Sequence, residues 1–140
     1  MDRWRVPLAL WLAAAAAGCE KLPAAPEVPN QPPTAAFFFT PVAPIYAGQS
    51  HVSFNGAGSA DKDGRIVSYV WDFGDGTPEE TRSDPTIDHM FPDTGARCLD
   101  ITYGVSLVVS DDKGASGLAA QSVTVTQLPA PSSPECQAAR

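Results

Sequence analysis

The chain has 140 residues, which is enough for a single domain, and its formal net charge is −7. Nine Lys and Arg residues stand against 16 Asp and Glu residues, so the clustered positive charge that nucleic acid or an anionic lipid surface requires is absent. We therefore exclude nucleic acid as a partner. The 14 prolines and 11 glycines favour a fold with many turns and few helices.

Residues 1–18 have the pattern of a secretory signal peptide. A short basic start, MDRWR, precedes an apolar run that is too short to provide the ~20 residues that span a bilayer. The small residues directly before Cys19 resemble the lipobox of bacterial lipoproteins, although Ala16 stands where that family usually has leucine. The resemblance implies that Cys19 is acylated and holds an exported protein in the outer membrane or at the cell surface. The alternative is ordinary cleavage nearby that leaves Cys19 unmodified.

Two proline-rich segments flank the region with strand patterns. Residues 19–32 lack apolar periodicity, which predicts a semi-rigid tether in the polyproline II conformation. Residues 127–140 are rich in Pro, Ser and Ala and predict a flexible tail. We therefore place one domain over residues 33–126, between a disordered leader and tether and a disordered tail.

Short stretches of alternating apolar and polar residues recur through this domain. In chain order they are AAFFFT at 35–40, HVSF at 51–54, RIVSYVWDF at 65–73, ITYGVSLVVSD at 101–111 and AQSVTVT at 120–126. In the third stretch, the period of two predicts that Val67, Tyr69, Trp71 and Phe73 share one buried face. Short strands separated by turns predict an all-β fold, an antiparallel β-sandwich of about seven strands.

The segment YVWDFGDGT, at residues 69–77, is the most specific motif. Strand alternation continues through Trp71 and Phe73, the glycines of GDGT can adopt positive φ, and Asp75 can bond nearby backbone amides. The motif therefore predicts a strand that ends in a hairpin. The alternative is that Asp72 and Asp75 form an acid pair for glycoside hydrolysis, but their roles in the hairpin already explain both residues.

YVWDFGDGT resembles the signature of the PKD domain, an immunoglobulin-like module. The segments PPTAAF, VSFNGAGSADKDGRI, DPTIDHMF and TYGVSLVVSDDKG match the family in the same order, so that the resemblance covers roughly residues 33–126. It implies an immunoglobulin-like sandwich. The residues that it implies as the structural signature are Tyr69, Trp71, Phe73, Gly74, Asp75, Gly76, His89, Phe91 and Tyr103.

Two cysteines remain once Cys19 is assigned to the lipid. An even pair in an exported protein suggests a disulfide between Cys98 and Cys136, with two unrelated thiols as the alternative. Compared with the PKD family, the segment ARCLDI, which contains Cys98, is an insertion before the strand that starts at Thr102. The last strand of such a hairpin ends beside that start, and ten more residues reach Cys136, so the two thiols can meet.

Some PKD domains, notably those of bacterial collagenases, bind calcium through a D-x-D-G turn, a residue near the start of the domain and an acid after the penultimate strand. By position, the resemblance implies Asp61, Asp63, Asp111 and Asn30 as ligands, and such oxygens suit calcium. The alternative is a polar turn in which Asp61 caps backbone amides. We expect no required cofactor, and calcium is the one candidate.

The resemblance also implies a non-catalytic function, because PKD domains elsewhere are interaction and spacer modules, often attached to extracellular hydrolases. We expect a cell-envelope lipoprotein, bound to the membrane by its N-terminal lipid, whose domain contacts a protein or a polysaccharide. Phe38 points away from Phe37 and Phe39 and is the candidate contact residue, with ordinary sheet packing as the alternative. The alternative function is a structural spacer or assembly subunit of an envelope complex that binds no isolated ligand.

Overall fold

The described residues form seven strands and one short helix. The computed structural model describes residues 27–129 and 133–137, so the predicted signal peptide, Cys19 and most of the tether lie outside the described residues. The elements are β1 (Phe38–Thr40), β2 (Val52–Asn55), β3 (Ile66–Asp72), β4 (Glu80–Arg82), β5 (Thr86–His89), β6 (Asp100–Asp111), β7 (Ser116–Thr126) and α1 (Pro134–Gln137). The predicted all-β architecture of about seven strands is confirmed.

The strands form two antiparallel sheets. A three-stranded sheet has the order β1-β2-β5, and a four-stranded sheet has the order β4-β3-β6-β7. The long β6–β7 hairpin runs in register from Asp100 opposite Thr126 to Ser110 opposite Ser116. Its turn is the DDKGAS segment, in which Gly114 has a φ of 92°, a conformation that glycine adopts without strain.

The core between the sheets is dominated by aromatic rings. Phe54 on β2 lies at its centre, with ring centroids 5.2 Å from Phe73, 5.8 Å from Trp71 and 6.4 Å from Phe91. Phe37 meets Trp71 edge-on at 5.2 Å, a favourable geometry for two rings. Alternate residues of β6 and β7 complete the core with branched aliphatic side chains: Val105, Leu107, Val109, Val123 and Val125.

The prediction that Val67 lies on the buried face of β3 is wrong. Val67 is 41% exposed, and Ile66 packs against the core instead. The pairing of β3 with β6 shifts between Ile66 and Ser68, so that two steps along β3 match one step along β6. Such a bulge reverses the alternation of faces before it, which is why a strict period of two fails here.

The N-terminal segment 33–37 covers the outer edge of β7. The side-chain amide of Gln121 donates to the carbonyl of Phe37, and Gly117 lies so close to the carbonyl of Pro33 that a side chain would collide with it. Farther along, the backbone of Ala47 donates to Thr126 at 3.0 Å. With the β7 edge covered, the other edge strands of the two sheets are β1, β4 and β5.

The segment predicted as a flexible tail contains two anchored positions. Gln127 is fully buried, and its Oε1 accepts bonds from the backbone and hydroxyl of Thr94 at 3.0 and 3.1 Å. Cys136 on α1 is buried and is joined to Cys98 by a disulfide. In the part of the chain that the structure describes, no helix is long and apolar enough to span a membrane.

Candidate functional site

The GDGT turn is built around the carboxylate of Asp75, whose side chain is fully buried. Its Oδ1 accepts bonds from the hydroxyl of Thr77 at 2.6 Å and from the backbone of Thr77 at 3.0 Å. Its Oδ2 lies 2.7 Å from Nε2 of His89, and the His89 ring stacks on Phe73 with centroids 3.7 Å apart. These contacts fasten the β3–β4 loop to β5.

The other signature residues also serve the fold. Tyr69, Trp71, Phe73, Phe91 and Tyr103 are all buried in the core. Gly74 has a φ of 67°, and a Cβ atom there would lie 2.5 Å from the carbonyl oxygen of Gly104, so no other residue fits. Gly76 has a φ of 88° with open space around it. The signature is thus a tight turn packed on an aromatic core.

Burial alone would raise the pKa of Asp75, but hydrogen bonds from Thr77 and His89 outweigh it and lower that pKa. Burial, together with the negative charge of Asp75, raises the pKa of Tyr103. Asp72 accepts a bond from the backbone of Gly74 at 2.9 Å. Since Asp75 has no contact with solvent and Asp72 caps the turn, the two carboxylates do not form an acid pair facing a substrate.

The four predicted calcium ligands lie at the end of the sandwich where the described N-terminal segment meets it. Asn30 donates from Nδ2 to Oδ2 of Asp111 at 2.9 Å, and Asp111 is almost fully buried. Asp63 accepts from the backbone of Gln31 at 3.3 Å, and its own backbone lies 3.3 Å from Oδ1 of Asp61. We call Asn30, Asp61, Asp63 and Asp111 the acidic turn cluster.

The cation that this cluster holds is the ammonium group of Lys113. Its Nζ donates to the carbonyl of Asp63 at 2.7 Å and to Oδ2 of Asp63 at 3.0 Å. The bond from Lys113 lowers the pKa of Asp63, and Asp63 in turn raises the pKa of Lys113. For Asp111, burial would raise the pKa, but the bonds from Asn30 and the 113–115 backbone lower it.

Two oxygen atoms of the acidic turn cluster are left without a partner in the described part of the chain. Oδ1 of Asn30 and Oδ2 of Asp61 are buried and have no hydrogen-bond partner within the described residues. Hard oxygens of this kind are the ligands that calcium prefers. Across residues 27–129 and 133–137, however, no three His, Cys, Asp or Glu side chains are grouped closely enough to hold a metal. The oxygens fit calcium, but they are not assembled into a carboxylate cage.

A second group of polar residues lies on the solvent face of the three-stranded sheet. Phe38 on β1 is opposite Asn55 on β2, which is opposite Thr86 on β5. The next row crosses the same strands, so that the face presents six side chains that we call the outer platform: Phe38, Thr40, Ser53, Asn55, Thr86 and Asp88. Phe38 is 57% exposed, as the sequence predicted for a contact residue.

A shallow pocket of about 510 Å³ adjoins this platform at β5. It is lined by Ser53, Arg82, Thr86, Ile87 and Asp88. Arg82 comes from β4, the edge strand of the other sheet, and its Nη2 lies 3.2 Å from Oε2 of Glu80. The sequence interpretation named only Phe38 here. The alternation in VSFN and TIDH, which puts Phe54 and Ile87 inside, could have found the platform residues on β2 and β5.

The model of the PKD domain family matches residues 30–126. Curated relatives include collagenase ColQ1 of Bacillus cereus, 42% identical over 53% of this chain and 7% of its own length. The microbial collagenase of Vibrio alginolyticus is 36% identical over 55% of this chain and 8% of its own length. The pre-pro-metalloprotease PrtV of Vibrio cholerae is 42% identical over 48% of this chain and 6% of its own length. The chain therefore spans less than a tenth of the length of these relatives.

Two solved structures are similar in both sequence and fold. The PKD1 domain of Vibrio anguillarum Epp is 33% identical, with a TM-score of 0.52, over 72% of this chain and 100% of that one. A structure concerned with the promiscuous specificity of carbohydrate-binding modules from the β-sandwich superfamily is 41% identical, with a TM-score of 0.61. That match covers 74% of this chain and 37% of the other.

Proposed function

Because the chain belongs to the PKD domain family, we propose that it is a non-catalytic binding module. In this proposal a lipid on Cys19 holds the module at the cell envelope, and the outer platform contacts a polysaccharide. The observation that carries the proposal is the placement of Phe38. It is a large apolar side chain, more than half exposed, on a sheet face whose other five members are polar. The similarity to the carbohydrate-binding-module structure supports the same class of ligand.

A flat face with one aromatic ring and several polar groups suits a sugar chain for a physical reason. An aromatic ring offers an apolar surface at little entropic cost, and a pyranose has an apolar face that can cover it. Hydroxyl, amide and carboxylate groups around the ring can then bond to the hydroxyls at the rim of the sugar. Thr40, Ser53, Asn55 and Thr86 supply such groups beside Phe38.

The first test is retention of the protein, starting at Glu20, on a panel of insoluble polysaccharides, with fibrous collagen and envelope extract in parallel. We expect saturable retention on one polysaccharide, and we expect Phe38→Ala to weaken it by roughly tenfold or more, because an aromatic anchor contributes about 2 kcal/mol or more. Leu118→Ala is the matched control, since Leu118 is 66% exposed on the other sheet. If the protein is retained only on collagen or only by an envelope protein, a protein-contact or assembly role is favoured. That result would refute the proposal that it binds a polysaccharide.

The lipid anchor is tested by mass spectrometry of protein extracted from membranes. We expect an N-terminal peptide that starts at Cys19 with acyl chains attached, because each buried CH₂ contributes about 0.8 kcal/mol and several chains give stable anchoring. Cys19→Ser is expected to move the protein into the soluble fraction. An unmodified Cys19, or a mature chain that starts after it, would contradict both the anchor and the location in the outer membrane or at the cell surface.

Calcium is proposed as an optional ligand of the acidic turn cluster. We expect millimolar calcium to raise the melting temperature by about 5 °C, since ligand at ten times its dissociation constant stabilises by about 1.4 kcal/mol. Asp61→Asn should abolish the shift, because Oδ2 of Asp61 is one of the two unpartnered oxygens. Asp84→Asn, on the exposed β4–β5 loop, is the control that keeps it. If calcium does not raise the melting temperature of the unsubstituted protein, calcium is not a ligand of the acidic turn cluster.

A further inference from the structure

We propose that the pocket beside Arg82 is a subsite for one uncharged sugar residue of the polymer, and that it selects neutral polysaccharides over acidic ones. This inference rests on the proposed function, because it names the part of the outer platform that gives the contact its specificity. Phe38 supplies apolar area that any sugar can cover. The pocket contains the charged groups, and charged groups are what separate one class of polysaccharide from another.

The pocket brings together residues from three strands of both sheets. Ser53 on β2 is opposite Asp88 on β5, and Thr86 lies two residues before Asp88 on the same face. Arg82 belongs to β4 of the other sheet and also lines the pocket. The volume of about 510 Å³ lies within the range of roughly 300–1,000 Å³ that small-molecule sites occupy.

The polar groups that line the pocket are available to a ligand. The carboxylate of Asp88 and the hydroxyls of Ser53 and Thr86 have no hydrogen bond or ion pair with any residue in the described ranges. Arg82 makes one bond, to Glu80, and a guanidinium carries five N–H donors. A carboxylate accepts from two neighbouring hydroxyls while a guanidinium donates to their oxygens, so adjacent sugar hydroxyls satisfy Asp88 and Arg82 together.

The charges around the pocket disfavour an acidic sugar. Among the described residues that line the pocket, Arg82 is the one cation; Asp88 lines the same pocket, and Oε2 of Glu80 lies 3.2 Å from Nη2 of Arg82. The whole chain has a net charge of −7, so an anionic polymer is also repelled at longer range. A neutral sugar is not repelled by these carboxylates, and its hydroxyls donate hydrogen bonds to them; such bonds to charged groups are the stronger kind.

The pocket is continuous with Phe38 across the sheet. The row from Phe38 through Asn55 to Thr86 crosses two strand spacings, which is about 10 Å. A sugar chain that lies across the strands therefore meets the aromatic ring at one edge and the pocket at the other. Phe38 and Arg82 then bind different sugar units of one polymer, and removing either one leaves the other contact intact.

The test is a set of depletion isotherms, without calcium, on insoluble cellulose and chitin, as neutral polymers, and on covalently cross-linked alginate as the acidic one. We expect the protein to bind a neutral polymer at least tenfold more tightly than alginate. Asp88→Asn and Arg82→Gln should each weaken neutral binding by roughly tenfold, the loss typical of a hydrogen bond to a charged group. Arg97→Gln, an exposed arginine outside the pocket lining, is the matched control and should bind as the unsubstituted protein does.

The outcomes separate the pocket from the function on which it rests. Neutral binding that is lost in Phe38→Ala but unchanged in Asp88→Asn and Arg82→Gln would overturn the pocket and leave the proposed function standing. Tighter binding to alginate would overturn the choice of an uncharged sugar. No retention on any polysaccharide would overturn both. Because Asp88 and Arg82 are exposed, both variants should have the melting temperature of the unsubstituted protein. Equal melting temperatures exclude unfolding as the cause of a loss of binding.

Discussion

Replacing both Cys98 and Cys136 by serine is expected to lower the free energy of unfolding by about 4 kcal/mol. The disulfide links residues separated by 38 positions, and in the chain-entropy model a loop of that length restricts the unfolded chain by about this amount. A domain of this size has a total stability of roughly 5–15 kcal/mol, so the loss is a large share of it. Urea unfolding of the protein starting at Glu20 measures the difference.

The reduced unsubstituted protein is the control for the cysteine variant. Its stability should match that of the double serine variant, because both lack the same covalent bond. α1 should also separate from the domain in both, because the bond that fastens Cys136 to Cys98 is lost. A non-reducing peptide map that finds both thiols free would contradict the disulfide. A decrease in the free energy of unfolding of less than about 1 kcal/mol would contradict its stabilising role.

Replacing Phe54 by alanine is expected to lower the free energy of unfolding by about 3–5 kcal/mol. The Phe54 side chain is fully buried, and its ring lies within 6.4 Å of five other rings, measured between centroids: Phe37, Phe39, Trp71, Phe73 and Phe91. Truncation removes that apolar area from the core and leaves a cavity that β2, paired on both sides, cannot collapse to fill.

Phe38→Ala is the matched control for Phe54→Ala, because it removes the same atoms from the neighbouring strand. Its side chain faces solvent, so we expect a change within about 0.5 kcal/mol. Urea unfolding, followed by tryptophan fluorescence, measures both variants. Equal losses in the two would mean that Phe38 is part of the core, which would also remove it as a contact residue.

Much of the fold could be predicted because the strands obey a simple rule. In β6 every second residue from Tyr103 to Val109 is buried, and the sequence alternates in the same way. The rule fails at Val67, where the β3 bulge depends on the pairing with β6 rather than on β3 itself. It also fails for β4, because Glu80, Thr81 and Arg82 are all exposed and show no alternation.

The candidate site could be predicted only where it depends on residues adjacent in sequence or on a family pattern. Phe38 follows from its position between two inward-facing neighbours, and the resemblance placed Asn30 near Asp111. The pocket could not be predicted, because Arg82 reaches the platform from the other sheet. Lys113 was also missed as the partner of Asp63, since the two lie 50 residues apart and meet through a long flexible side chain.

The long β6 strand also sets the length of the domain along the strand direction. The segment that carries Asn30 joins one end of β6 at Asp111, and α1 is fastened through Cys98 beside the other end. The 12 residues of β6 extend over roughly 40 Å. Anything held at α1 is therefore kept roughly that distance from the segment that carries Asn30.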